Sequence, residues 1–319
     1  MKAKHVTIVV PVYADWLSLN DCINSLIEHL DSKHKVVLVN DYGPEVDSLE
    51  KNIKRSIKSL PNFEYHRNSR NLGFVKTCNR AALQLDKTNN DILLLNSDTK
   101  VTEGFLEEML KALYAEGKIG AISPRSNNAN NCTIPLAAFI SNKGIRAEKS
   151  YELFQKYKHK FPRIHVMPTA NGFCMLIRRK LIQTYGLFDE AFGKGYGEEV
   201  DFCQRIAQHG WLSALSNWAF VYHLEAKSFS PETKAKLLEG SVKMIRERWP
   251  NFKPAITEDI ENSLLNEKKI MGKDAGKEVP YDLNRTKVTI KRIIRRNPSI
   301  HKLALATRAR LKRKSYKIN

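Results

Sequence analysis

Short apolar runs alternate with helix-spaced apolar positions through the first 125 residues. "HVTIVV" (5–10) is rich in β-branched residues and stops at Pro11, which predicts a strand. Leu19, Cys22, Ile23, Leu26, Ile27 and Leu30 then recur with helical spacing, with Ser18 and Asp21 as the expected caps. Further strands are expected at "KVVLVN" (35–40), "FEYHRN" (63–68), "DILLLN" (91–96) and "KIGAISP" (118–124). Helices are expected over 46–59, 74–85 and 103–115. The run of Leu in the fourth strand implies cover on both faces. Strict alternation of strand and helix predicts an α/β fold, a mostly parallel sheet flanked by helices.

Beyond residue 125 the pattern is less regular. An Asn-rich loop (123–135) precedes a Lys-rich helical or irregular insertion (136–165). "MPTANGFCMLIRRK" (167–180) reads as a strand approached through Asn171 and Gly172, and one or two strands are expected in 212–229, ending near His223. A helical stretch over 231–248 follows.

In parallel α/β sheets ligands bind outside the carboxyl ends of the strands. Pro11-Val12-Tyr13, Asn40-Asp41, Asn68 to Gly73 and Asn96-Ser97-Asp98 each follow a predicted strand and are expected to converge on one sheet edge. Each segment alone also fits an ordinary turn. Read chemically, Asp98 holds Mg2+ or Mn2+ while the ion bridges phosphate oxygens. Asp41 accepts from a nucleobase or ribose, and Arg70 pairs with a diphosphate beside a helix start. The Gly spacing of the dinucleotide fingerprint and of the Walker loop is missing, which argues against both classes.

Charge changes the picture at one end. The chain carries 53 Lys+Arg against 34 Asp+Glu, and the segment 284–319 supplies 13 of the basic residues with no acid. Its interleaved Ile, Leu and Ala suit an anionic membrane surface, with a disordered solubilising tail or a nonspecific nucleic-acid patch as alternatives. No run approaches the roughly 20 apolar residues of a spanning helix, and neither end resembles a signal peptide. Five scattered cysteines without zinc spacing fit reduced, buried thiols in a cytoplasmic protein.

"TIVVPVY", "VVLVND", "RNLGFVKTCN", "LLLNSDT", "NGFCMLIRR", "GLFDEAFGKGYGEEVDFCQR" and "HLEAKSF" follow one another from Val6 to Phe229. In this order and spacing they resemble an inverting family 2 glycosyltransferase of GT-A fold, rhamnosyltransferase-like and acting on a surface polysaccharide. The resemblance implies a GT-A domain over 1–230, with a nucleotide-sugar part (1–124) and an acceptor part (125–230). A helical extension (231–275) and a basic amphipathic tail (276–319) complete the expected organisation.

It further implies that Pro11, Val12, Tyr13 and Asp41 hold base and ribose, while Arg70, Asn71, Gly73, Asn96 and Ser97 line the nucleotide. The metal motif is present as Asn96-Ser97-Asp98, with its first acid replaced. Asp98 is the implied ligand of Mn2+ or Mg2+, and His223 either contacts metal or diphosphate or is a strand-end histidine. Glu199 falls at the general-base position with Glu198 before it, a Glu where the family usually has Asp. Asn171, Gly172, Tyr196 and Glu198 fall on the acceptor side.

Asp201 is expected to pair with Arg205 at i, i+4 instead of joining the chemistry. Val200, Cys203 and Ala207 are the expected buried face of that helix, and Gly210 its stop. The implied partners are a UDP- or dTDP-sugar, a glycan or lipid-linked glycan acceptor, and the anionic inner face of the cell membrane through 285–319. No specific nucleic acid is implied. The alternatives from other classes are a metal-dependent nucleotidyltransferase, and a non-catalytic basic protein binding membrane or nucleic acid.

Overall fold

A computed structural model describes residues 4–115, 117–141, 144–224 and 231–276. The strands are β1 (Val6–Val12), β2 (Lys35–Asn40), β3 (Phe63–Arg67), β4 (Asp91–Leu95), β5 (Thr99–Val101), β6 (Ile119–Arg125), β7 (Ile164–Met167), β8 (Cys174–Ile177) and β9 (Leu212–His223). The helices are α1 (Trp16–His29), α2 (Val46–Ile57), α3 (Phe74–Arg80), α4 (Phe105–Ala115), α5 (Leu136–Ile140), α6 (Ala147–Tyr157), α7 (Arg179–Tyr185), α8 (Glu198–Ala207), α9 (Pro231–Arg248) and α10 (Phe252–Met271).

The sheet runs β3-β2-β1-β4-β8-β6-β9-β5, with β7 also pairing with β9. Strands β3, β2, β1 and β4 are mutually parallel, as are β6 and β9. β8 is antiparallel to both β4 and β6, so it stitches the two parallel halves into one mixed sheet. The period-2 alternation of each strand decides where its side chains go. Val6, Ile8 and Val10 join the core beneath α1, α2 and α4, whereas Val9 joins the opposite core with α3, α7 and α8. Leu49, Ile53 and Ile57 recur every four residues and bury one face of α2.

Several elements differ from expectation. The α1 cap is Asp15, at φ +61, whose carboxylate accepts from the Ser18 N–H at 3.3 Å and its hydroxyl at 2.7 Å. Ser18 and Asp21 therefore lie inside the helix. The expected helix 74–85 is α3 followed by a five-residue π-helical segment, Ala81–Leu85. The 167–180 strand shrinks to β8, because Arg179 begins α7 and is held there by Asp91, Asn90 and Ala82. Within 136–165 the chain forms α5, α6 and the start of edge strand β7.

The C-terminal helices are fastened to the body by buried acids. Glu267 accepts from Arg125 Nη1 at 2.8 Å and from the Leu136 N–H at 2.7 Å. Asp259 bonds His165 Nε2 at 2.8 Å. Ile245, Trp249 and Phe252 pack on the core that holds α8, and residues 1–276 form one compact unit. The basic tail lies outside the described residues from Lys277 onward. Among the described residues no helix is long and apolar enough to cross a membrane.

Candidate functional site

The turn after β2 is the anchor of the donor side. Asp41, only 5% exposed, takes three donors: Asn68 Nδ2 at 2.7 Å and the Leu72 N–H at 2.8 Å on Oδ1, and the Gly73 N–H at 2.9 Å on Oδ2. Its own N–H donates to the Val12 carbonyl at 2.7 Å, and the Asn68 N–H to the Asn40 carbonyl at 2.8 Å. β1 runs on through Pro11 and Val12, past the expected stop at Pro11, because both residues pair with β2. Its end at Tyr13, the turn of Asp41, and the loop of Arg70, Asn71 and Gly73 thereby meet at the carboxyl ends of adjacent strands. Asp41 is thus the clasp of the 68–73 loop. Arg70 and Asn71 are exposed at the loop's tip. Arg67 and Lys76 are directed elsewhere, to Asp47 with Glu50 and to Glu190 respectively.

Asn96, Ser97 and Asp98 form the half-buried turn between β4 and β5. The Asn96 N–H donates to the Phe173 carbonyl at 2.8 Å, and its carbonyl accepts from Thr99 Oγ1 at 2.7 Å. β5 pairs Thr99 with His223, the last residue of β9, which brings Asp98 Oδ1 to 3.5 Å from His223 Nε2. This distance is long for a hydrogen bond. It lies within the span one divalent ion bridges with bonds of about 2.1 Å.

The histidine is oriented from behind. Its Nδ1 lies 2.8 Å from the Asn128 carbonyl, which only accepts, so Nδ1 carries a proton and Nε2 is the ring nitrogen turned toward Asp98. Asn127 grips the His223 backbone on both sides, accepting from its N–H at 2.9 Å and donating to its carbonyl at 3.1 Å. A carboxylate oxygen and an imidazole nitrogen are the kinds of donor that would hold Mn2+ or Mg2+. Among the described residues no group of three or more His, Cys, Asp or Glu forms a complete metal cage.

The side expected to meet the acceptor is built from a loop of positive-φ residues. Gly195, Tyr196 and Gly197 have φ of +127°, +74° and +92° in succession, and they feed directly into α8. Gly197 has little room for a side chain, since a Cβ there would stand 3.2 Å from Phe192 and 3.3 Å from Ile245. The same loop reaches the donor side, where a Cβ on Gly73 would lie 3.3 Å from the Lys194 Cα.

Glu199 is half-buried with its Cβ and Cγ beside Gly172, and its Oε2 accepts from the Gly197 N–H at 3.2 Å. Burial raises its carboxyl above the usual range, against the pull of the N–H groups at the helix start. Glu198 is 5% exposed, and its Oε2 has no hydrogen-bond partner among the described residues. Burial and the neighbouring Glu199 push its carboxyl well above the ordinary value. The Asn171 side-chain oxygen caps its own turn by accepting from the Phe173 N–H at 3.2 Å, which holds Gly172 against Glu199.

The third acid has a different task. Asp201 accepts from Arg205 Nε at 2.8 Å, as expected, and also from Arg248 Nη1 at 3.1 Å and Trp249 Nε1 at 3.0 Å. It joins α8 to the end of α9. The buried face of α8 centres on Phe202, Cys203 and Ile206 beside Val200, while Ala207 is exposed, a correction to the expected stripe. All five cysteines are buried and unbridged. Of "HLEAKSF", residues from Glu225 onward lie outside the described residues. Sequence reasoning passed over Asn127, Asn128 and Lys194 as site residues. The Asn-rich run was their visible signal, but no spacing rule links it to a histidine 95 residues away.

The chain is 24% identical over 211 residues to N-acetylglucosaminyl-diphospho-decaprenol L-rhamnosyltransferases of two Mycobacterium tuberculosis strains, covering 60% of this chain and 67% of theirs. Among solved structures it resembles GalNAc-T7 with UDP, GalNAc and Mn2+ (TM-score 0.59, 16% identity, 89% of this chain and 58% of that one). It also resembles the mannosyltransferase PcManGT from Pyrobaculum calidifontis with GDP-Man and Mn2+ (TM-score 0.56, 16% identity, 89% and 79%). These likenesses show a GT-A fold. The sequence profile of glycosyl transferase family 2 matches residues 7–186, more than half of the chain, through the donor turns and on to α7. The chain therefore belongs to glycosyl transferase family 2 and transfers a sugar from a nucleotide-sugar donor.

Proposed function

We propose that the protein is an inverting, metal-assisted glycosyltransferase that extends a lipid-linked glycan during surface polysaccharide synthesis. The observation that carries this reading is the contact pattern of the 193–199 loop. It lies against Gly73 of the donor turns through Lys194 and presents Glu199 beside Gly172, so donor and base belong to one continuous surface. In the reaction Glu199 takes the proton of an acceptor hydroxyl as that oxygen bonds to the anomeric carbon. The bond from that carbon to the diphosphate oxygen breaks on the opposite side, which inverts the centre in a single displacement. Asp98 and His223 would hold Mn2+ or Mg2+, which when bound neutralises charge on the departing diphosphate. The orphaned Oε2 of Glu198 supports a contact with an acceptor hydroxyl, and Asn171, Gly172 and Tyr196 line that side.

The mycobacterial relatives act on a diphospho-decaprenol lipid, and the basic segment 285–319 carries the charge for docking on an anionic inner leaflet. Both support a lipid-linked acceptor and a peripheral position on the membrane. The test is a screen of UDP-, dTDP- and GDP-sugars with Mn2+ and an N-acetylglucosaminyl-diphospho-polyprenol acceptor, reading nucleotide diphosphate release. Absence of release with every donor would reject the reading. In the same assay Asp98→Ala should weaken Mn2+ and donor binding together, by about tenfold or more.

A further inference from the structure

Tyr42 combines strain, exposure and bracing in a way that core packing does not require. It follows Asp41 at the carboxyl end of β2 with φ +55°, in the left-handed region that a bulky side chain rarely enters. The turn is pinned on both sides. The Tyr42 N–H donates to Asn40 Oδ1 at 3.2 Å, and a Cβ on the following Gly43 would sit 1.6 Å from the Tyr13 carbonyl oxygen. The Tyr13 ring reaches the same turn, with Cδ2 3.3 Å from that point.

The strained backbone holds the Tyr42 ring 42% exposed. The ring is nevertheless braced, because the Arg67 Cζ stands 4.9 Å from its centroid. Arg67 is itself clasped by Asp47 Oδ1 at 2.8 Å and Glu50 Oε2 at 3.0 Å. One side of the ring is therefore backed by a fixed planar cation, and the remainder meets solvent. A strained, exposed aromatic with a rigid backing costs stability and returns little packing, and such strain concentrates where ligands are held.

The geometry points to Tyr42 as a second aromatic wall of the nucleobase slot beside Tyr13, stacking the donor's base on the ring surface that Arg67 leaves open. The inference rests on the nucleotide-donor reading of these turns, and it goes beyond that reading in assigning a residue whose contribution is confined to the base. A stacked base has a π-face in every nucleotide, so this wall adds affinity for a flat base and leaves the hydrogen-bonding groups to choose which one.

The test is calorimetric titration of the full chain and of Tyr42→Ala and Tyr42→Phe with UDP, UMP and inorganic diphosphate, alongside thermal melting. Tyr42→Ala should raise the Kd for UDP and UMP by the same factor, about 5- to 100-fold, the range that base–aromatic stacking commands. Diphosphate binding should not change, and the melting temperature should hold or rise. Tyr42→Phe should bind like the wild type, since the ring and not the hydroxyl does the stacking. An unchanged nucleotide Kd in Tyr42→Ala, a loss shared by diphosphate, or an equal loss in Tyr42→Phe would each overturn the assignment. Wild-type protein that binds none of UDP, dTDP and GDP would overturn the donor reading itself, and this inference with it.

Discussion

Asp41 and Glu198 are both 5% exposed carboxyl groups at the mouth of the same site, yet their surroundings are opposite. Asp41 is met by three N–H donors from one loop. Glu198 keeps an oxygen with no partner among the described residues and sits beside a second acid. Burial alone is therefore a poor guide to what a carboxylate is for. A satisfied one organises structure, whereas an unsatisfied one holds interaction capacity in reserve for a substrate. The contrast extends to the two halves of the site. The proposed donor side is tied strand end to strand end by hydrogen bonds, while the proposed acceptor side rests on three consecutive residues of positive φ and two carboxyls pushed upward in pKa.

The largest expected effect comes from separating the halves chemically. Glu199→Gln removes the proton acceptor and should lower kcat by about 10³-fold, within the range typical of general-base loss. Calorimetry should find nucleotide diphosphate affinity unchanged, since the donor turns are built without it. If affinity fell in step with kcat, the two halves would not be separable and Glu199 would belong to the donor side. The wild-type profile supplies a companion reading. Activity should rise with pH through an acidic limb lying above the ordinary carboxylate value of 4.5, because burial raises Glu199.

Next in size is Asp41→Ala. It leaves buried donors of Asn68, Leu72 and Gly73 without their acceptor, at a cost of about 3 kcal/mol. Urea unfolding should report that loss, and donor binding should weaken as the 68–73 loop loosens. Unchanged stability would mean that the loop does not depend on its clasp.

The smallest effect has the opposite sign. Glu198 has a folded-state pKa raised above 4.5, so the folded protein binds its proton more tightly than the unfolded chain does. Stability is consequently lost as pH rises through that window. Glu198→Gln removes the penalty and should raise the melting temperature at pH 7 to 8, with the gain vanishing below about pH 4. A melting temperature that falls at neutral pH would show that Glu198 is a structural clasp like Asp41, and the comparison would collapse.

The donor half was the more legible part of the chain. β1, β2 and β4 lie where their apolar runs predict them, because strands covered on both faces need unbroken hydrophobic sequence, and the half-buried edge strand β3 also lies where it was expected. The turns that follow them are the expected place for chemistry, for a topological reason that no individual residue has to announce. β5 and β7 carried little signal. Three residues of β5 become a strand only by meeting the end of β9, and β7 is an edge strand with Val166 exposed. The reading of 167–180 as one strand failed because Arg179 is apolar in neither face nor role. It starts a helix, held by Ala82, Asn90 and Asp91 from elsewhere in the chain.

The order and spacing of the motifs determined from sequence alone the fold class, the family and the identity of the candidate acids. Their division of labour was a tertiary matter. Asp201 paired with Arg205 as its i, i+4 spacing foretold, but its bonds to Arg248 and Trp249 join elements 47 and 48 residues apart. His223 came to face Asp98 through β5 and β9 pairing, with its ring orientation set by a carbonyl at Asn128. The physical reason is common to both cases. Whether a polar group is satisfied depends on which distant loop delivers a donor within about 3 Å of it, and sequence spacing encodes only the local part of that geometry.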